Sequence, residues 1–195
     1  IKVQPGVTIQ NALKLCLKDN WMLPVVPGTR FPTLGGCTSN NVHGKNSYKD
    51  GNFGDHVIEF EILLASNEII KCTREKNKDL FYAAIGGMGM LGIITSITLK
   101  LKKINTTNLY IRKWTVQDLD AILSNFIKYS SSYDYMVGQI DCFKQGKNLG
   151  RGTIHAAKSI TNASLEEEYE NDLQVSKKIF SVIPKELALN IGKHF

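Results

Sequence analysis

Residues 33–57, TLGGCTSNNVHGKNSYKDGNFGDHV, decide the fold that this sequence predicts. Residues 31–52, which overlap most of this stretch, are dense in glycine, serine and asparagine, and they are too long and too polar for a simple connection between two elements. Long loops of this kind tend to carry function. A second glycine-rich run, GGMGMLG at residues 86–92, follows a predicted pair of strands. The two runs together predict a ligand site built from loops.

The paired glycines suggest what such a site would bind. Glycine pairs let a backbone approach a ligand closely and present N–H groups to an anion. The N–H groups of Gly35 and Gly36 would suit a pyrophosphate. Neither run is a Rossmann GxGxxG or a Walker loop, since the third glycine and the GK[ST] element are missing. Taken singly, each run is also explained as an ordinary turn.

Hydrophobic periodicity predicts regular elements around these loops. Thr8 is placed as the cap of a helix that runs to Asp19. Residues 57–65 and 68–72 read as a hairpin, and Asn77 as the cap of a short helix. The strand 93–101 alternates most clearly. Its predicted inward residues are Ile93, Thr95, Ile97, Leu99 and Leu101.

The order of predicted strands and helices changes after Asn105. This change predicts a first domain at residues 1–105 and the beginning of a second, α+β domain at 106–195. Thr115 is placed as the cap of an amphipathic helix, and two facing strands follow at 133–143 and 152–158. The predicted core stripe of that helix is Leu119, Ile122, Leu123, Phe126 and Ile127. Ser164 is placed as the cap of a later acidic helix.

Composition excludes several classes of protein. The chain has 195 residues, 43% of them apolar, which is ordinary globular usage. No apolar run approaches the roughly 18–20 residues of a membrane span. The net charge is +6, but no basic and aromatic nucleic-acid motif is present. Four cysteines without a CxxC pair predict free core thiols and no metal site.

The start of the chain at Ile1, in the middle of an alternating pattern, predicts a piece of a longer protein. Its compartment signal is therefore expected to be absent from this sequence. Cytoplasmic and membrane-associated locations both stay open.

Together the two glycine-rich runs resemble the flavin-binding domain of the vanillyl-alcohol oxidase/para-cresol methylhydroxylase (PCMH) superfamily. Upstream, the resemblance includes residues 24–30, PVVPGTR, and it continues weakly through residues 133–151. It implies most of a PCMH-type FAD-binding domain, followed by the start of an α+β substrate domain. It also implies FAD held in an extended form and without a covalent bond.

The resemblance assigns roles to individual residues. The implied cofactor-binding residues are Gly28, Thr33, Leu34, Gly35, Gly36, Asn40, Asn41, Val42, His43 and Ile93. Lys45 would face the pyrophosphate or the sugar of a substrate, and a solvated loop lysine is the alternative. His43 is explained equally by hydrogen bonds to the backbone of its turn. His56 and His155 are interpreted as structural.

The HGKN and GNFG elements narrow the resemblance to oxidases of a secondary sugar hydroxyl. The implied substrate is a polyprenylphosphoryl pentofuranose, a precursor of cell-wall arabinan, oxidised at its 2'-hydroxyl as the first half of an epimerisation. A base would remove the hydroxyl proton while hydride passes to the flavin, and a separate nicotinamide-dependent reductase would act next. Gln139 stands where a Trp would border the substrate, which leaves substrate identity open.

The same resemblance places the catalytic base beyond Phe195, so no catalytic residue is named, and these 195 residues alone are expected to be inactive. Two alternatives remain. One is an aldonolactone oxidase of the same superfamily, which shares the glycine framework without the HGKN element. The other is a non-catalytic binding module that has kept the fold.

Overall fold

The computed structural model describes residues 1–160, so the helix predicted after Ser164 lies outside the described residues. The strands are β1 (Lys2–Val3), β2 (Trp21–Met22), β3 (Val57–Leu63), β4 (Ile69–Thr73), β5 (Ile93–Leu99), β6 (Lys102–Lys103), β7 (Leu109–Val116), β8 (Tyr135–Ile140) and β9 (Gly152–Ser159). The helices are α1 (Ile9–Cys16), α2 (Leu34–Ser39), α3 (Ser47–Asp50), α4 (Lys78–Ala84) and α5 (Leu119–Tyr129). This mixture of helices and antiparallel sheets confirms the predicted α+β class.

A four-stranded antiparallel sheet in the order β1-β5-β3-β4 organises the first part of the chain. The predicted hairpin is confirmed as β3 and β4, with Phe60 opposite Cys72. Phe60 stacks on Phe81 of α4 with 5.3 Å between ring centroids. Burial of such apolar side chains is the main stabilising contribution to a core of this kind.

A β-bulge in β5 overturns part of the predicted alternation. Glu61 pairs with Ser96 but Ile62 pairs with Ile94, so Thr95 is an extra residue in the ladder. An extra residue moves the side chains that precede it to the other face. Ile97 and Leu99 lie in the core as predicted, whereas Ile94 replaces Ile93, which is 68% exposed.

The helix caps are partly as predicted. Thr8 caps α1, where its side chain accepts a hydrogen bond from the Asn11 N–H at 3.2 Å. Asn77 is not a side-chain cap, because its amide donates to the Lys71 carbonyl instead. Residues 31–52, expected as one long loop, contain the short helices α2 and α3.

A three-stranded antiparallel sheet in the order β7-β9-β8 forms the second part, with α5 packed on one of its faces. The cap of α5 is Asp118, which accepts from the Ala121 N–H at 2.8 Å, and Thr115 lies inside β7. The predicted cap was wrong because β7 continues to Val116. The predicted stripe is also wrong in part: Leu119, Leu123 and Ile127 are exposed.

The four-stranded and the three-stranded sheet have separate apolar cores, one within residues 9–99 and one within residues 116–156. The predicted domain boundary at residue 105 falls between them and stays a prediction.

Candidate functional site

The HGKN loop, residues 43–46, is fixed to the first part of the chain by a buried asparagine. The Asn46 side-chain amide donates to the Pro24 carbonyl and to Asp50 Oδ2, both at 2.7 Å. A Cβ atom on Gly44 would lie 2.8 Å from the Val26 carbonyl oxygen. The loop therefore packs so closely against the preceding segment that only glycine fits at this position.

The same loop also contacts the second sheet. The Met136 N–H donates to the Lys45 carbonyl at 2.8 Å. The Tyr48 hydroxyl donates to the Tyr133 carbonyl at 2.7 Å. Because β8 is an edge strand, the backbone groups on its outer side have no partner strand and are available for hydrogen bonds with this loop. The Lys45 backbone therefore has a fixed position relative to β8.

Two carboxylates stabilise this region electrostatically. Burial alone would raise the pKa of Asp50, but the Lys102 ammonium at 3.0 Å and the Asn46 amide outweigh it and lower that pKa. The pKa of Asp134 is lowered in the same way, because the Ser159 N–H and the Lys49 ammonium outweigh its burial. Both side chains are therefore anionic acceptors at neutral pH.

A cavity of about 320 Å³ lies between loops in the first part of the chain and the second sheet. Its wall is formed by Met22, Val26, Pro27, Lys45, Leu109, Ile111, Tyr135, Val137, His155, Ala156 and Ala157. The lining is apolar apart from Lys45, Tyr135 and His155. Burial raises the pKa of Tyr135, so its hydroxyl stays protonated and can donate. The predicted substrate residue Lys45 thus borders a cavity of ligand size.

Sequence reasoning did not find His155 as a cavity residue. The signal was available in the alternation of β9: Ile154 and Ala156 are buried against α5, so His155 belongs to the opposite face. Its position only becomes informative once the pairing of β9 with both neighbours is known.

The two glycine-rich runs lie side by side. The Gly86 N–H donates to the Thr38 carbonyl at 3.2 Å, and the Met88 N–H donates to the Ser39 carbonyl at 2.7 Å. The turn after α4 is thereby joined to the C-terminal end of α2. Asn41 accepts from the Gly54 N–H at 2.9 Å and so holds the GNFG element against the same region.

The expectation that Gly35 and Gly36 offer free N–H groups is wrong. The Gly35 N–H donates to the Pro5 carbonyl at 2.8 Å, and the Gly36 N–H donates to the Thr33 hydroxyl at 3.1 Å. A Cβ atom on Gly35 would lie 2.7 Å from the Pro5 Cβ. The first glycine is needed for packing, and the second takes part in the cap of α2.

Other predicted cofactor residues differ in their access to a ligand. Leu34 is fully buried in the core, so only its backbone could reach a ligand. Asn40 is exposed and its amide donates to the Gly36 carbonyl at 2.9 Å. His43 is also exposed, and a Cβ on Gly28 would meet nothing within 4 Å. Their contact with a cofactor, like that of Val42, stays a prediction.

An exposed apolar patch accompanies the second glycine-rich run. Met88, Met90 and Ile93 are 70%, 81% and 68% exposed, and Leu91 is exposed beside them. Large side chains grouped in this way mark a binding surface more often than they mark ordinary solvent-facing protein. The bulge in β5 is what brings Ile93 into this patch.

Residues 1–73 match the family model described as an FAD binding domain. The chain contains an FAD binding domain of this family. It is 32% identical over 156 residues to a decaprenylphosphoryl-beta-D-ribose oxidase of Mycolicibacterium smegmatis, which covers 79% of this chain and 34% of the relative. A Delta(24)-sterol reductase of Homo sapiens is 31% identical over 52% of this chain and 20% of that protein.

A putative D-arabinono-1,4-lactone oxidase of Neurospora crassa is 32% identical, over 52% of this chain and 18% of that protein. The chain therefore spans about a third or less of the length of each relative named here. The relatives and the family model confirm FAD as the cofactor and the predicted membership of the PCMH-type flavoproteins.

The residues of the chain fit FAD. Gly28, ahead of the first glycine-rich run, and Gly89, within the second, both lie beside open space, and the exposed patch of Met88, Met90 and Ile93 offers an apolar surface to an aromatic ring. Within residues 1–160, no helix is long and apolar enough to cross a membrane. The same residues bring no three His, Cys, Asp or Glu side chains together as metal ligands.

Proposed function

We propose that the intact protein oxidises a secondary hydroxyl of a sugar, namely the 2'-hydroxyl of a polyprenylphosphoryl pentofuranose. The observation that carries the proposal is the position of the HGKN loop. Its Lys45 backbone is bonded to the edge of β8, and Lys45 borders the cavity between the preceding loops and the second sheet. The M. smegmatis oxidase named above supports the same class of substrate.

The composition of the cavity suits such a substrate. Apolar side chains of β7, β8 and β9 would contact an alkyl or prenyl chain. The Lys45 ammonium would donate to hydroxyl or phosphoryl oxygens, because ammonium groups bind such oxygens well. The protonated Tyr135 hydroxyl supplies a second donor on the same wall.

Chemistry and positioning are divided between the cofactor and the chain. When bound, FAD supplies the two-electron oxidation of the hydroxyl to a ketone. The described residues orient the sugar and donate hydrogen bonds to it. The proton acceptor is proposed to lie beyond Phe195, and a nicotinamide-dependent reductase is the proposed next enzyme.

Anaerobic titration of the FAD-loaded protein tests this function. Polyprenylphosphoryl ribose should bleach the flavin absorbance near ~450 nm, and an aldonolactone should not. Acid precipitation should release the flavin into the supernatant. Lys45→Met should slow the bleaching, while the matched change Lys78→Met, at the exposed first residue of α4, should not.

Two other results would replace the proposal. Bleaching by an aldonolactone alone would favour a lactone oxidase, the activity in the name of the N. crassa relative. FAD that stays oxidised with every sugar offered would favour a binding module.

A further inference from the structure

His155 has a buried nitrogen without a partner. It lies in the middle of β9, on the face opposite α5, and it borders the cavity. Within residues 1–160, its Nε2 atom makes no hydrogen bond although it is inaccessible to solvent. Buried side-chain nitrogens nearly always have a partner, so an exception calls for an explanation. The imidazole is only half-buried, and its rotation toward the adjoining cavity would let a ligand supply that partner.

Strand register places a lysine directly beside this histidine. Lys113 of β7 is the Cα partner of His155, and Val137 of β8 is its partner on the other side. Side chains directly opposite each other in an antiparallel pair have Cβ atoms about 5 Å apart and lie on the same face. Lys113 is exposed, and no carboxylate among residues 1–160 forms an ion pair with it.

The neighbouring rows of the sheet differ in chemistry. On one side Ile111, Ala157 and Tyr135 form an apolar row that belongs to the cavity. On the other side Thr115, Thr153 and Gln139 form a polar row. The ammonium and the imidazole therefore stand between an apolar wall and a polar one.

An ammonium next to an imidazole suits an anionic oxygen. Phosphoryl oxygens accept strong, charge-assisted hydrogen bonds from both groups. An apolar wall one row away suits the hydrocarbon part of the same molecule. The arrangement thus matches a phosphoryl group carried by an apolar chain.

We propose that His155 and Lys113 form the subsite for the phosphoryl group of the substrate. The assignment rests on the proposed function. It leaves Lys45, on the first-domain side of the cavity, to contact the sugar. His155 is then a substrate-binding residue and not a structural one.

Calorimetric titration of the FAD-loaded protein with farnesyl phosphate and with farnesol tests the subsite. The wild type should bind the phosphate about tenfold more tightly than the alcohol, because a hydrogen bond to a charged group is among the stronger ones. His155→Gln and Lys113→Gln should each remove most of this preference. Lys128→Gln on α5, on the other face of the sheet, is the matched control and should keep it.

Equal binding of the two probes by the wild type would overturn the subsite. So would variants of His155 and Lys113 that retain the full preference. Flavin absorbance of each variant shows that the fold and the cofactor are intact. If no sugar bleaches the flavin but the two variants still lose the preference, the proposed oxidation fails and the subsite stands.

Discussion

Met136 donates its backbone N–H to the carbonyl of Lys45 at 2.8 Å, so one residue of the HGKN loop continues the edge of the second sheet. The bond uses main-chain atoms only. Substitution of the Lys45 side chain should therefore change the chemistry of the cavity and leave the position of the loop unchanged. Substitution of its neighbour Gly44 should do the opposite.

Gly44→Ala should destabilise the protein by about 1–3 kcal/mol, the usual range for an overpacked site. The new methyl group would lie 2.8 Å from the Val26 carbonyl oxygen and 2.9 Å from Asn46 Oδ1. Urea unfolding measures the effect. Gly6→Ala is the control, since its Cβ would meet nothing within 4 Å. Equal stabilities of the two variants would contradict the close packing described for the loop.

FAD should protect Met88 and Met90 from oxidation. Both side chains are exposed beside the second glycine-rich run, and a cofactor ring on this patch would shield them. Peptide mass spectrometry after brief peroxide treatment, with and without FAD, measures sulfoxide at each methionine. Met136, buried in the second core, should stay unmodified in both samples. Unchanged rates at Met88 and Met90 would place the cofactor elsewhere.

Asp50→Asn should remove part of the loss of stability in acid. The pKa of Asp50 is lowered in the folded protein, so its carboxylate stabilises the fold above its unfolded pKa of about 4. That contribution disappears as the pH falls through the lower, folded pKa. Urea midpoints between pH 7 and pH 3 should therefore fall less steeply in the variant than in the wild type.

The control for this pH series is Asp120→Asn, a change on the exposed side of α5. Its curve should run parallel to that of the wild type. Parallel curves for all three proteins would show that the Lys102 and Asn46 contacts do not hold the Asp50 charge in solution.

Thiol reagents at pH 8 should label Cys142 and spare Cys37. Burial raises the pKa of the Cys37 thiol to about 11, so almost no thiolate forms at that pH. Cys142 is exposed. Mass spectrometry of the labelled peptides gives the order of reaction, and denaturant should make the two rates similar. Fast labelling of Cys37 in the folded protein would contradict its place in the core.

Several elements that are determined by neighbouring residues in the sequence were predicted correctly. The hairpin of β3 and β4 was visible as two apolar runs across Ser66 and Asn67, and Thr8 was recognised as a cap. The face of Ile93 was not predictable, because a bulge in β5 depends on how the partner strand is aligned. Periodicity within one strand carries no information on that alignment.

In the candidate site too, local motifs were informative, whereas features that depend on tertiary contacts were not predicted. The HGKN motif marked Lys45 as a substrate residue; Lys45 does border a cavity, and its contact with a substrate stays a prediction. The glycine pair Gly35-Gly36 was misread as a source of free N–H groups, because its acceptors, Pro5 and Thr33, come from tertiary and capping contacts. His155 was missed because its neighbour Lys113 lies 42 residues away in the chain and meets it only through strand pairing.

Side chains along β9 alternate between the face that packs on α5 and the face that borders the cavity, so substitutions on the two faces have different effects. Ile154 and Ala156 pack in the core beneath α5, and a substitution at either position affects folding. His155 and Ala157 face the cavity, and a substitution there leaves the packing beneath unaltered. Substitutions at odd-numbered positions of β9 can therefore change what the cavity binds, while those at even-numbered positions change the packing that supports it.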